Sequence, residues 1–106
     1  MIEVSALANK QYRRGVEIER KVVQILNDAG YEAQRMAQSR GRWDVVGVGP
    51  VGVRLIQVKR AKKDSPWEGW FRKACEAMRG IKCPPNVSRE VWVWIDYQGF
   101  VKQEVI

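Results

Sequence analysis

The 106-residue sequence predicts an α/β fold: a mixed five-stranded sheet flanked by helices, in the order α-β-β-β-α-β-β. Three observations predict it. Apolar residues recur at helical spacing in two separate segments. Short Val-rich runs bounded by Gly and Pro lie between and after them. One run, residues 90–96, is apolar on both faces, as in a strand covered from both sides.

The first helix is expected over residues 10–29. Ile18, Val22, Ile25 and Ala29 form its stripe, Val23 and Leu26 widen it, and Gly30 follows as the C′ residue. Residues 31–37 read as a short strand and 38–42 as a basic loop. Residues 43–48 form a second strand, 49–52 a Gly-Pro-Val-Gly turn, and 53–60 a third strand. After a loop at 61–64, a second helix is expected to start near Ser65. Ser65 would be its N-cap, Pro66 its first residue and Glu68 the partner in a capping box. Its stripe is Trp67, Phe71, Ala74, Met78 and Ile81, and it ends around Gly80, ahead of Pro84-Pro85. In the strand at 90–96, Val91, Val93 and Ile95 take one face and Trp92 and Trp94 the other. A turn at 97–99 leads to a last strand at 100–105. Without repeats or a linker, residues 1–106 read as a single domain with 1–9 as an N-terminal extension.

Lys and Arg number 19 against 12 Asp and Glu, a formal +7, which favours a polyanionic partner and nucleic acid first. No segment reads as a membrane span or a signal peptide, so the expectation is a soluble, cytoplasmic protein without a membrane partner. With two cysteines and no histidine, a structural zinc site within one chain is excluded, and Cys75 and Cys83 read as plain thiols. Any catalysis must run on carboxylates, amides, Lys or Tyr.

Residues 44–59 carry the chemical signal. Asp44 opens a strand of otherwise apolar residues, and Gln57 and Lys59 interrupt the next one on a shared face. If the turn pairs Val48 with Val53, Asp44 falls opposite Gln57, with Cβ atoms roughly 5 Å apart. A carboxylate, an amide oxygen and an ammonium then converge, and hard oxygen ligands of this kind suit Mg²⁺ or Mn²⁺. Glu19 lies at the edge of the first helix's apolar stripe. It reads either as a second carboxylate leaning over the sheet or as a solvated side chain. Likewise, a lone strand-start Asp and a Gln-x-Lys strand each have an ordinary reading, as a turn residue and an exposed face.

The ordered set Arg14-Gly15-x-x-x-Glu19-Arg20, Gly30-Tyr31-x-x-x-Arg35, Ser39, Asp44 and Val58-Lys59, continued by Lys62-Lys63-Asp64, resembles archaeal-type Holliday junction resolvases. The resemblance covers about residues 13–64, and the chain's brevity fits a phage-encoded member. It implies a restriction-endonuclease-like core of the PD-(D/E)XK type, a homodimer, and Mg²⁺-dependent cleavage of four-way DNA junctions. Mn²⁺ should substitute, and no small-molecule cofactor is implied. Trp43 stands where the superfamily name has Pro, and Gln57 where an acid is usual.

On this reading Asp44, the Gln57 side-chain oxygen and the Val58 carbonyl hold the metal, with Glu19 touching it directly or through water. Lys59 positions the attacking water or stabilises charge on the phosphate. Arg13, Arg14, Arg20, Arg35, Ser39, Arg40, Arg42, Arg60, Lys62 and Lys63 are the expected DNA contacts, mostly to phosphates. Five tryptophans exceed what a thin core needs, which supports a dimer face. The rivals are a related nuclease acting on flaps, nicks or ends, a non-catalytic basic DNA-binding protein, and an RNA-binding protein, for which no aromatic–basic motif is present.

Overall fold

In the computed structural model the elements are α1 (Ile2–Asp28), β1 (Glu32–Arg35), β2 (Val45–Gly49), β3 (Gly52–Ala61), α2 (Glu68–Arg79), β4 (Val87–Ile95) and β5 (Gly99–Val105). This is the expected order. The structure describes residues 2–36 and 41–106, with 2–9 and 11 described by backbone only. The five strands form one sheet in sequence order, antiparallel except for β3–β4, which α2 connects in parallel.

α1 and α2 cover opposite faces. Val22 and Leu26 of α1 pack with Val45, Ile56 and Trp92, whereas Ala74, Cys75 and Met78 of α2 pack with Leu55 and Val91. Consecutive strand residues, 55 and 56 or 91 and 92, thus serve different helices. Val93, Ile95 and Ala61 extend the α2 side beneath Trp67, Trp70 and Phe71. The strand expected to be apolar on both faces is so placed, with Trp92 only 2% exposed.

Several boundaries and faces differ from expectation. α1 starts at Ile2, not residue 10, so residues 2–9 extend a helix; Ala6, Leu7 and Ala8 favour helix, and no Pro interrupts. Its buried stripe is Ile18, Val22 and Leu26, one residue every four, while Ile25 is 40% exposed and Ala29 lies outside. The end at Gly30 is as expected. Gly30 has φ +93°, its N–H donates to Asn27 O, and Tyr31 N–H donates to Leu26 O, the paired bonds of a Schellman motif. The capping box at Ser65 does not form. Asp64 is left-handed and Ser65 N–H closes a turn on Lys62 O, so α2 starts later, after an N-cap at Trp67 that makes no side-chain cap bond. The first strand is shorter than expected, ending at Arg35. Both cysteines are free, Cys75 buried and Cys83 half-buried. Among the described residues no helix is long and apolar enough to cross a membrane.

One polar cluster crosses the core and was not foreseen. Glu90 is 1% exposed, and both carboxylate oxygens accept from Arg54 at 2.7 Å. Ser88 Oγ at 2.8 Å and Trp92 Nε1 at 3.1 Å also donate to it. The Arg54 guanidinium lies 5.1 Å from the Tyr31 ring centroid. Burial pushes the Glu90 carboxyl up, but its hydrogen bonds and the Arg54 charge outweigh burial and hold it below its ordinary value. Because the folded-state value is depressed, the stabilisation is complete above the unfolded-state value of about 4.3 and is lost as pH falls through the folded one. Glu90→Ala strands Arg54 and should cost about 3 kcal/mol in urea-melt stability at pH 7, with a smaller difference from wild type in acid.

Candidate active site

The site lies where β2 begins and β3 continues past it. The β2–β3 hairpin pairs Val48 with Val53 and Gly49 with Gly52, leaving Pro50 and Val51 as a two-residue loop. Gly49 is needed because a Cβ there would lie 2.6 Å from the Tyr31 ring. The ladder runs up to Val45–Ile56, and the Asp44 N–H then donates to Ile56 O at 2.9 Å. The ladder stops there, so Asp44 lies just past the paired residues, beside Ile56 of β3. The Asp44 carboxylate turns onto the β3 edge and accepts from Val58 N–H at 2.8 Å. The carbonyl and N–H of a strand residue leave on the same side, so the Val58 carbonyl also faces this edge.

α1 and β1 bring a second pair. Glu19 accepts from Arg35 Nε at 3.0 Å, and both side chains are about one-fifth exposed. Arg35 pairs with Val45 in the β1–β2 ladder, which sets it next to Asp44. Burial raises the Glu19 carboxyl, and the Asp44 charge adds to the rise against the opposing Arg35 bond. Burial likewise raises Asp44, opposed by the Val58 N–H and by the charges of Lys59 and Arg35. Two carboxylates and two cations therefore share one neighbourhood, with perturbed acids of the sort common at functional sites.

Glu19 and Arg35 lie on the α1 side of the sheet, whereas Gln57 pairs with Val91 and Lys59 with Val93, both packed toward α2, so Gln57 and Lys59 point to the α2 side. The Gln57 Oε1 is buried and has no hydrogen-bond partner among the described residues. A buried, unpaired amide oxygen is costly unless something else meets it. An amide oxygen of this kind, on the strand that also carries the Val58 carbonyl, is a hard donor that suits a divalent cation. Among the described residues no group of three or more His, Cys, Asp or Glu gathers, so such a cation would depend on neutral oxygens and water besides Asp44 and Glu19.

The expected DNA contacts separate into two sets. Arg13, Arg14, Arg20, Lys62 and Lys63 are exposed. Arg35, in contrast, is paired with Glu19. Arg60 forms a two-pronged ion pair with Asp96, Nε to Oδ1 at 3.0 Å and Nη2 to Oδ2. Arg42 reaches Ala77 O near the end of α2 at 3.4 Å. Ser39 and Arg40 lie outside the described residues. Tyr12, absent from the sequence reading, hydrogen-bonds Arg35. The available signal was its spacing, seven residues before Glu19, two turns along one helix face.

A family model described as archaeal Holliday junction resolvase (hjc) matches residues 10–67, more than half of the chain, and this span includes Glu19, Asp44, Gln57 and Lys59. The fold is similar to a solved structure of Archaeoglobus fulgidus Hjc, a Holliday junction resolvase from an archaeal hyperthermophile. The match has a TM-score of 0.57 and 20% identity, over 88% of this chain and 71% of that one. No curated protein matches the chain.

Since the fold holds Glu19 and Asp44 with raised carboxyl values, their neutral forms suit it better, and stability from these groups grows as pH falls through those values. Asp44→Asn keeps an oxygen for the Val58 N–H and removes the charge. Its thermal midpoint at pH 7 in EDTA should equal or exceed that of wild type; a lower midpoint would contradict the electrostatic reading.

Proposed function

The chain belongs to the archaeal Holliday junction resolvase family, and from that premise we propose that it is a structure-specific DNA endonuclease that resolves four-way junctions in the cytoplasm by Mg²⁺-dependent phosphodiester hydrolysis, as a homodimer making paired nicks. The observation that carries the proposal is the Asp44 carboxylate bound to the β3 edge at Val58, the residue between Gln57, whose buried Oε1 is unpaired among the described residues, and Lys59. Asp44, Gln57 Oε1 and the Val58 carbonyl would hold the ion, with Glu19 next to them. When bound, Mg²⁺ or Mn²⁺ supplies an acidified water and neutralises phosphate charge.

The protein's own groups do the rest. Asp44 orients the site through its bond to the β3 edge. Lys59 sits two residues beyond Gln57 on the same face and offers its ammonium to the scissile phosphate as charge builds there. Arg35, paired with Glu19, is a second cation within reach of a phosphate. The exposed Arg13, Arg14, Arg20, Lys62 and Lys63 hold flanking backbone by charge, which gives affinity without base preference. A two-fold dimer gives two such sites for opposed strands.

One observation favours a second reading. Gln57 brings no charge, and Arg35 and Lys59 balance Glu19 and Asp44, so the cluster attracts a divalent cation weakly by itself. A non-catalytic junction-binding protein would share these features.

An immobile synthetic junction assayed with and without Mg²⁺ separates the readings. Cleavage with symmetric paired nicks is expected with metal only, and absence of cleavage with Mg²⁺ or Mn²⁺ would leave the binding protein. Lys59→Ala should lower the cleavage rate by about 100-fold or more while junction binding stays intact. Gln57→Glu should lower the Mg²⁺ concentration needed for half-maximal cleavage; an unchanged requirement would remove Gln57 from the metal site.

A further inference from the structure

A groove of about 290 Å³ lies on the α1 side of the sheet. Arg14, Ile18 and Lys21 of α1 form one wall, and Arg60 of β3, Trp94 of β4 and Tyr97 of the β4–β5 turn form the other. Two of these are immediate chain neighbours of candidate site residues: Ile18 precedes Glu19 and Arg60 follows Lys59. The Lys21 ammonium sits 5.5 Å from the Trp94 ring centroid, and Trp94 is braced edge-on by Phe100 at 5.0 Å. Asp96 also lines the groove, but Arg60 neutralises it. Arg14 and Lys21 then face one remaining carboxylate, Glu17.

Tyr97 is the unusual member. The residue is 94% exposed, and its backbone has φ +67°, a conformation that Gly or Asn adopts more readily than an aromatic residue. The position thus carries two costs, an exposed ring and a strained backbone, and the ring contributes little burial in return. Strain of this kind points to use rather than to stability. The turn itself is firmly anchored, since Asp96 N–H donates to Ala61 O at 3.0 Å and Gln98 N–H to Ile95 O at 2.9 Å. The ring is held out on a stiff base.

We propose that this groove binds an unstacked nucleotide of branched DNA, its base stacked on Tyr97 and its phosphate met by Arg14 and Lys21. The volume suits one small group rather than a larger ligand. Aromatic faces take any base, so the site would read the absence of stacking and not sequence. Fully paired duplex has no such base to offer; a single strand does, and so does a branch point whose central pairs open. The inference rests on the branched-DNA reading above and supplies what phosphate contacts lack, discrimination between a junction and its arms.

The test uses the full chain and three fluorescent probes: an immobile four-way junction, an oligothymidylate carrying one 2-aminopurine, and a duplex of equal length. Tyr97→Ala should weaken junction and single-strand binding by about 5- to 100-fold, lose the 2-aminopurine signal and leave duplex binding as it was. Tyr97→Phe should behave as wild type. Tyr97→Gly, which suits the positive φ, should melt no lower than wild type yet share the binding loss. Wild-type binding of all three probes by Tyr97→Ala would overturn the groove proposal alone. Equal loss on duplex would overturn it too, showing a general contact. Failure of the wild type to bind any DNA would overturn both this inference and the nuclease reading.

Discussion

The hydrogen bond from the Val58 amide to the Asp44 carboxylate is the constraint on which the site depends. β2 stops at Val45 while β3 runs on to Ala61, so the β3 amide at Val58 has lost its ladder partner. Asp44 replaces that partner with a side chain. The same bond stabilises a strand edge that would otherwise be unsatisfied and holds a carboxylate against β3 at Val58, between Gln57 and Lys59. Fold and site share one interaction.

A second organising feature is the parallel β3–β4 pairing. Its register is offset by 34 residues, as in Arg54 with Ser88 and Arg60 with Trp94. Both two-pronged ion pairs of the sheet, Arg54–Glu90 and Arg60–Asp96, span 36 residues. Each is the same diagonal step between neighbouring strands, repeated six residues further along. Three arginines, Arg35, Arg54 and Arg60, are therefore committed to internal carboxylates. The chain's positive surplus is expressed at the surface by α1 and by the loop after β3, and less by the sheet.

This explains what was legible in the sequence and what was not. The element order followed from local signals: the helical spacing of Ile18 and Val22, the Gly30 stop, the Gly-Pro-Val-Gly turn. The Val48–Val53 pairing was legible because a tight hairpin fixes antiparallel register from the turn outward, but the ladder stops at Val45–Ile56, one residue short of the expected Asp44–Gln57 pair. The Arg54–Glu90 and Arg60–Asp96 pairs were not, because a crossover helix separates the strands and leaves their register undetermined locally. The Glu19–Arg35 pair needed the packing of α1 on β1, again a long-range fact. The Ser65 cap failed for a local reason: Asp64 adopts a left-handed turn that competes with helix initiation.

The close seat of Tyr31 over Gly49, with Leu26 over Gly47, has a consequence for how this protein can change over time. It locks the rotational phase of α1 from its C-terminal end. An inserted residue between Glu19 and Gly30 would swing Glu19 around the helix axis by about 100°, away from Asp44. The same insertion ahead of Glu19 would leave its bearing untouched. Lineages descended from this chain have room to lengthen the helix only at its outer end, while the eleven-residue interval from Glu19 to Gly30 behaves as a gauge that indels cannot cross.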